Sequence, residues 1–290
     1  VNPLATVAHA IAQIPVIGTA LFLITDTLIL CLVTLLDPWL ARILFFKIRR
    51  GQRGWRAELR TGLDFYRYVE YPRVVERLAG ARPTRVLDIG SNYGLVWQWV
   101  AAHGAHVHAT DIRDITLRDA RAHLPDRDRE RAHISLHDAQ RLGFADESFD
   151  AVTAISTIEH IEDDRAVMAE VARVLQPGGV AIITMPVNPD YREVRDNASF
   201  PLIRHYALET LEQRLLADGT LQTVELQLWC IRDHFGAVPL WTFTRFSDVL
   251  RRFVYYRRLK PPHDLSRIAP NPLGHHIGIL ILRKRSEDNG

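Results

Sequence analysis

Lysine and cysteine are both scarce in this chain. Of 36 basic residues, only Lys47, Lys260 and Lys284 are lysine and the remainder are arginine. That bias reflects genome composition as readily as function. The cysteines, Cys31 and Cys230, lie far apart with no metal-ligand spacing, which excludes a disulfide framework and suits a reducing compartment. A net charge of +2 is too small to imply a concentrated basic face, so nucleic acid is not an expected partner. The 13 histidines show no tight grouping, and no metal site is expected, even at the His275–His276 pair. Internal repeats and low-complexity runs are absent as well.

What is present is a globular composition, 47% hydrophobic and 24% charged, in a length that suits one large domain or a domain with an appendage. Charge is segregated along it. From Val1 to Ala41 there is no Lys or Arg, and the acids are Asp26 and Asp37. Arg42, Lys47, Arg49, Arg50, Arg53, Arg56 and Arg60 then arrive together. Upstream, residues 14–36 are apolar enough to cross a bilayer if helical. Asp26 near the middle opposes this by about 2.5–3.5 kcal/mol on insertion scales.

The basic cluster follows the apolar run, which argues against a secretory signal and would place everything after residue 42 in the cytoplasm. PWLARILFFKIRR, residues 38–50, has the character of an interfacial helix, with Trp39, Ile43, Leu44 and Phe46 apolar and a cationic end. Residues 1–50 therefore read as a hydrophobic helical extension that anchors the chain at the cytoplasmic face of a membrane. The other reading is a soluble helical extension, packed on the main domain or in a dimer interface. The same bland reading applies to Tyr66, Tyr68 and Tyr71, as the apolar face of a docking helix rather than a cover for a ligand.

Beyond residue 60, strand-like and helix-like stretches alternate. Strands are expected at 85–90, 106–112, 133–136, 149–156 and 180–187. A helix is expected through Leu95, Val96, Trp99 and Val100, and another through Val167, Met168, Val171, Val174 and Leu175, the second stopped by QPGG at 176–179. This alternation predicts an α/β fold with a doubly wound, mostly parallel sheet.

The first strand runs into VLDIGSNYG, residues 86–94, and tests for a dinucleotide. Aligning the G-x-G-x-x-G fingerprint on Gly90 puts Asn92 and Leu95 at the other two glycine places, so it fails twice. What remains is Asp88, Gly90 and Gly94 at a strand's carboxyl end, then Asp111 at the end of the next strand. An acid suits a cationic ligand better than a phosphate, and Asp111 is placed to accept hydrogen bonds from a ribose diol. A ribose, a cation and no phosphate describe S-adenosylmethionine (SAM).

From about Arg85 to Val187 the chain resembles a class I SAM-dependent methyltransferase, of the broad group that modifies quinones and small molecules. VLDIGSNYG resembles that family's first motif, and ATDI at 109–112 its second-strand acid. HDAQRLGFADESFD at 137–150, AISTIEHIED at 154–163 and RVLQPGGVAIITMP at 173–186 resemble the later motifs in order. The resemblance implies a Rossmann-like, seven-stranded sheet ending in an antiparallel edge, here LQTVELQLW (221–229) against IGILILRKR (277–285). It implies that Gly90, Ser91, Asn92 and Gly94 shape the loop at the methionine moiety and that Asp88 orients its amino end. Asp111 would hold the ribose, Ile112 would pack on adenine, and Asp138, with the Ala139 backbone nearby, would take the adenine amino group. Asn92 stands where the family often has glycine, and asparagine tolerates left-handed backbone. His160 is the candidate general base if the acceptor is a hydroxyl, with a structural histidine as the alternative.

On this reading residues 51–290 form the methyltransferase domain, with an insertion at about 231–273 rich in aromatics and arginine. That insertion suits a lipid-headgroup surface or a cover over an apolar substrate. The expected acceptor is lipophilic or a small organic molecule. The rivals are a soluble methyltransferase for a polar metabolite or natural product, and a SAM-fold scaffold without catalysis.

Overall fold

The computed structural model describes residues 31–32, 34–50, 66–92, 94–114, 117–118, 121, 124–193, 203–217, 219–231, 256–259 and 276–286. The chain divides into two compact units. One comprises Val1–Pro72 with Arg232–Tyr256, and the other Arg73–Ile231 with Arg257–Gly290. Most of the apolar stretch 14–36 and nearly all of the 231–273 insertion fall outside the described residues. Among the described residues, no helix is long and apolar enough to cross a membrane.

In the first unit, α1 (Pro38–Arg50) starts where the sequence places an interfacial helix. Asp37 caps it, its carboxylate accepting the Trp39 and Leu40 amides at 3.1 and 3.0 Å. Leu40, Ala41 and Ile43 are buried on one face, while Phe45 is exposed, as are Leu35 and Leu36 just upstream. The Arg42 guanidinium lies 4.2 Å from the Trp39 ring centroid. The helix α2 (Arg67–Ala81), which runs from the first unit into the second, buries Tyr68 and Tyr71, while Tyr66 just before it is half-buried.

The second unit is built on the sheet. Its strands are β1 (Arg85–Ile89), β2 (His106–Asp111), β3 (Ala132–Leu136), β4 (Phe149–Ile155) and β5 (Leu175–Asn188). After these come β6 (Arg192–Glu193), β7 (Arg204–Ala207), β8 (Leu221–Ile231), β9 (Tyr256–Leu259) and β10 (His276–Lys284). The order is β3-β2-β1-β4-β5-β10-β8-β9, with β7 also on β5 and β6 on β7. The first five strands pair in parallel, and β10 runs antiparallel to both β5 and β8. The expected seven-stranded core and antiparallel edge are thus present, enlarged by three short strands.

Parallel strands covered on both faces need apolar residues at successive positions, and β1, β4 and β5 have them. Leu87, Ile89, Val152, Ala154, Ile183, Met185 and Val187 share one core with Val167, Met168, Val171 and Val174. Those last four belong to α4 (Asp164–Val174), capped by the Asp163 carboxylate, which accepts the Ala166 amide at 3.0 Å. QPGG does end α4, but the chain does not leave the sheet there. The β4–β5 register passes from Phe149–Leu175 to Ala151–Val180, so the four residues form a bulge within β5. The region after β5 contains β6 and β7, and its helix α5 spans Leu211–Leu215.

One histidine in this sheet predicts a pH dependence. His108 on β2 packs against His133 in a tilted pair and edge-on against Phe144 and Phe149, at centroid distances of 5.0, 5.2 and 5.4 Å. Burial first, then the charges of His133, Arg85, His137 and His106, hold its pKa down at about 4 against an ordinary 6.5. The unfolded chain therefore takes up the proton first. The stability that this neutral ring contributes is complete above about pH 6.5 and is lost as pH falls toward 4. Because the ring is half-buried, the loss is on the order of 1–2 kcal/mol after screening. Melting curves between pH 7.5 and 4.5 should show a steeper decline for the native protein than for His108→Leu.

Candidate functional site

The sheet order reverses between β1 and β4, and in open α/β sheets that switch point opens a crevice at the strands' carboxyl ends. Gly90, Asp111 and the turn after β4 all arrive at that edge. The loop after β1 leads into α3 (Leu95–Ala102), whose buried Val96, Trp97, Trp99 and Val100 dock it on the sheet.

Two features of the loop leave no room for side chains. Gly90 has φ of +65°, and a Cβ there would lie 2.4 Å from Thr157 Cγ2. At Gly94 a Cβ would meet the Ser91 carbonyl oxygen at 2.7 Å, and that oxygen accepts the Gly94 amide at 2.8 Å. Asn92, where the resemblance expects glycine, takes a left-handed φ of 43°, so the substitution keeps the turn. Ser91 donates both its amide and its hydroxyl to the Thr110 carbonyl, at 2.9 and 3.0 Å. Beneath the loop Asp88 is buried, its carboxylate accepting the Thr153 hydroxyl from β4.

Asp111 closes β2 and is 7% exposed. Its Oδ2 accepts the Asn92 amide at 3.2 Å and its Oδ1 the Arg113 amide at 2.9 Å. Each carboxylate oxygen has a second lone pair, so the group that braces the loop can also accept from a diol. Ile112, next in sequence, is 61% exposed, an apolar side chain standing open at the crevice.

Asp138 lies after β3 in a tight turn, its Oδ1 accepting the Gln140 amide at 2.9 Å and the Gln140 side-chain amide at 3.2 Å. Ala139 is buried beside it. The next stretch is held from α4. Arg173 donates to the Leu142 and Phe144 carbonyls at 3.0 and 2.7 Å, and Glu170 accepts the Leu142 amide at 2.6 Å. The Arg173 hydrogen bond to Glu170 draws that carboxyl below its usual range.

His160 ends the single 3₁₀ turn Ile158–His160 that follows β4. Its amide donates to the Thr157 carbonyl at 3.0 Å, and its Nε2 lies 3.9 Å from the Glu159 carboxylate. The sequence does not mark Thr157. It fills the space under Gly90, and its hydroxyl is within hydrogen-bond reach of the Ile89 and Ile155 carbonyls, at 3.2 and 3.1 Å. Motif spacing carries no sign of it, because its value lies in a contact across the sheet.

A loop too crowded for a Cβ, a strand-end carboxylate with spare acceptor capacity and an exposed apolar side chain beside it fit a nucleoside with a sulfonium. Residues 87–183 match the methyltransferase domain family. A ubiquinone biosynthesis O-methyltransferase of Aromatoleum aromaticum is 35% identical over 108 residues, covering 36% of this chain and 45% of that protein. A demethylmenaquinone methyltransferase of Clavibacter sepedonicus is 37% identical over 126 residues, covering 43% and 49%. The chain spans about half the length, or less, of these curated relatives.

A solved 1,6-didemethyltoxoflavin-N1-methyltransferase of Burkholderia thailandensis, with bound S-adenosylhomocysteine, has the same fold at a TM-score of 0.51. It is 18% identical, with 74% of this chain and 76% of that one covered. Residues 87–183 are a methyltransferase domain, and the fold around them is that of the SAM-dependent methyltransferases.

Proposed function

We propose that this protein moves a methyl group from SAM to a lipophilic or small organic acceptor at the cytoplasmic face of a membrane. The observation that carries the reading is the convergence of Gly90, Asp111, Ile112 and the Thr157–His160 turn on one crevice at the switch point. The bound cofactor supplies a methyl group on a sulfonium already primed to leave. The protein's part is then to align and desolvate the reactants. Gly90, Ser91, Asn92 and Gly94 shape the cradle for the methionine end, and Asp88 orients its amino group through the loop above. Asp111 accepts from the ribose, Ile112 covers one adenine face, and Asp138 with the Ala139 backbone meets the adenine edge. His160, on the turn after β4, takes the proton of a hydroxyl acceptor.

The quinone-pathway names of the two curated relatives support a lipophilic acceptor. Support for the membrane surface is physical: exposed Leu35, Leu36 and Phe45 accompany Arg42, Lys47 and Arg49, an apolar-plus-cationic pairing that suits anionic headgroups. Incubation with methyl-tritiated SAM and total cell extract tests the acceptor. Label is expected in the organic phase, label confined to the aqueous phase would give the polar-metabolite rival, and no label at all would leave a scaffold. For the surface, co-sedimentation with phosphatidylglycerol vesicles should exceed that with phosphatidylcholine vesicles and should be lost when residues 1–48 are removed. Equal recovery in the supernatant with both would remove the membrane from the reading.

A further inference from the structure

Resting on the methyl-transfer reading, we infer that Arg204 is a positioning residue for the reaction, holding the acceptor-side turn in place from a strand that the sequence did not reveal. Arg204 opens β7 and is 2% exposed. It donates to three carbonyls of the turn after β4, through one terminal nitrogen to Ile158 and Ile161 at 3.2 and 2.5 Å and through the other to Glu162 at 2.7 Å. The neighbouring Ile203 amide donates to the fourth, Glu159, at 2.9 Å. A single planar cation thus organises the backbone on both sides of His160. Lysine could not do this, since an ammonium is a point donor without the fork.

The turn is fixed at its other end as well. Thr157 packs under Gly90 and hydrogen-bonds the end of β1. The segment that carries His160 is therefore strung between the cofactor loop and β7. A shift at Arg204 would move the acceptor side of the crevice while leaving the nucleoside side intact. Methyl transfer is sensitive to such a shift because the reacting atoms must lie in line.

Arg204 also lies 3.6 Å from the buried Asp164. That carboxylate keeps other partners, since Arg214 donates to both its oxygens at 2.8 and 3.1 Å and the Tyr206 hydroxyl donates at 2.9 Å. Arg214 thus shares the buried ion cluster with Arg204 without touching the turn, which makes it the control. The full chain is compared as wild type, Arg204→Gln, Arg204→Lys and Arg214→Gln. Three readouts are taken: S-adenosylhomocysteine affinity by calorimetry, amide exchange at 158–162, and initial rates of tritium transfer from SAM to total cell extract.

For Arg204→Gln the expected result is affinity within threefold of wild type, exchange in the turn at least tenfold faster and transfer at least tenfold slower. Arg204→Lys should fall between. Arg214→Gln should lower the melting temperature yet keep transfer within threefold of wild type. Wild-type transfer rates in Arg204→Gln would overturn the assignment, as would an equal loss in Arg214→Gln at matched destabilisation. Should Arg204→Gln not fold, Arg204→Lys keeps the charge beside Asp164 and carries the same comparison. If the wild type transfers no label, the methyl-transfer reading fails, and turn exchange alone decides whether Arg204 holds the segment.

Discussion

Asp111→Ala is expected to weaken binding of S-adenosylhomocysteine by roughly a hundredfold or more, measured by calorimetry on the full chain. Two effects add. A hydrogen bond to a charged group contributes about 1.5–3 kcal/mol, and a ribose diol can donate two to this carboxylate. The second effect is indirect: Asp111 also holds the Asn92 amide at 3.2 Å, so alanine frees the left-handed corner of the cofactor loop. Asp111→Asn keeps one acceptor oxygen and most of the shape but turns an NH2 toward one of the two amides, and should lose roughly tenfold. Both variants should weaken 5′-methylthioadenosine as well, because that nucleoside has the same ribose and lacks the amino-acid end. If affinity for both ligands is unchanged in Asp111→Ala, the carboxylate is a loop brace alone.

The parallel core was legible because strands covered on both faces leave unbroken apolar runs. The cofactor loop was legible because Gly90, Gly94 and Asp111 act through local backbone demands that spacing records. The strand β7 was not, since RHYA carries an arginine and a histidine in four residues and owes its burial to partners elsewhere: Arg204 to the turn after β4, Tyr206 to Asp164. No local pattern announces a strand whose stabilising contacts are long-range. QPGG spells a stop because proline and glycine end helices, and it does end one. The neighbouring strand β4 then sets the path of the chain, absorbing the four residues as a bulge. Asp138 makes the Gln140 turn that a structural aspartate would make, within the stretch that the resemblance assigns to the adenine edge.

Gly90→Ala separates a conformational demand from a packing demand at one position. The left-handed backbone alone costs alanine about 1 kcal/mol, as it should at Gly178, where φ is +76° and a new Cβ would meet nothing within 4 Å. At Gly90 the Cβ would also lie 2.4 and 2.6 Å from the Thr157 side chain, which β1 and β4 hold from behind. Overpacking of a fixed neighbour adds about 1–3 kcal/mol. Denaturant titrations should therefore show Gly90→Ala less stable than Gly178→Ala by roughly that amount. Relief at Gly90 requires Thr157 or the loop to move, so S-adenosylhomocysteine affinity should fall at least tenfold in Gly90→Ala and stay near wild type in Gly178→Ala. The double variant Gly90→Ala with Thr157→Ala removes the clash and should regain part of the stability while the strained φ persists. Equal destabilisation of the two glycine variants, with no rescue in the double variant, would mean that Thr157 does not bear on the loop, and the proposed link from cofactor loop to acceptor turn would lose its first contact.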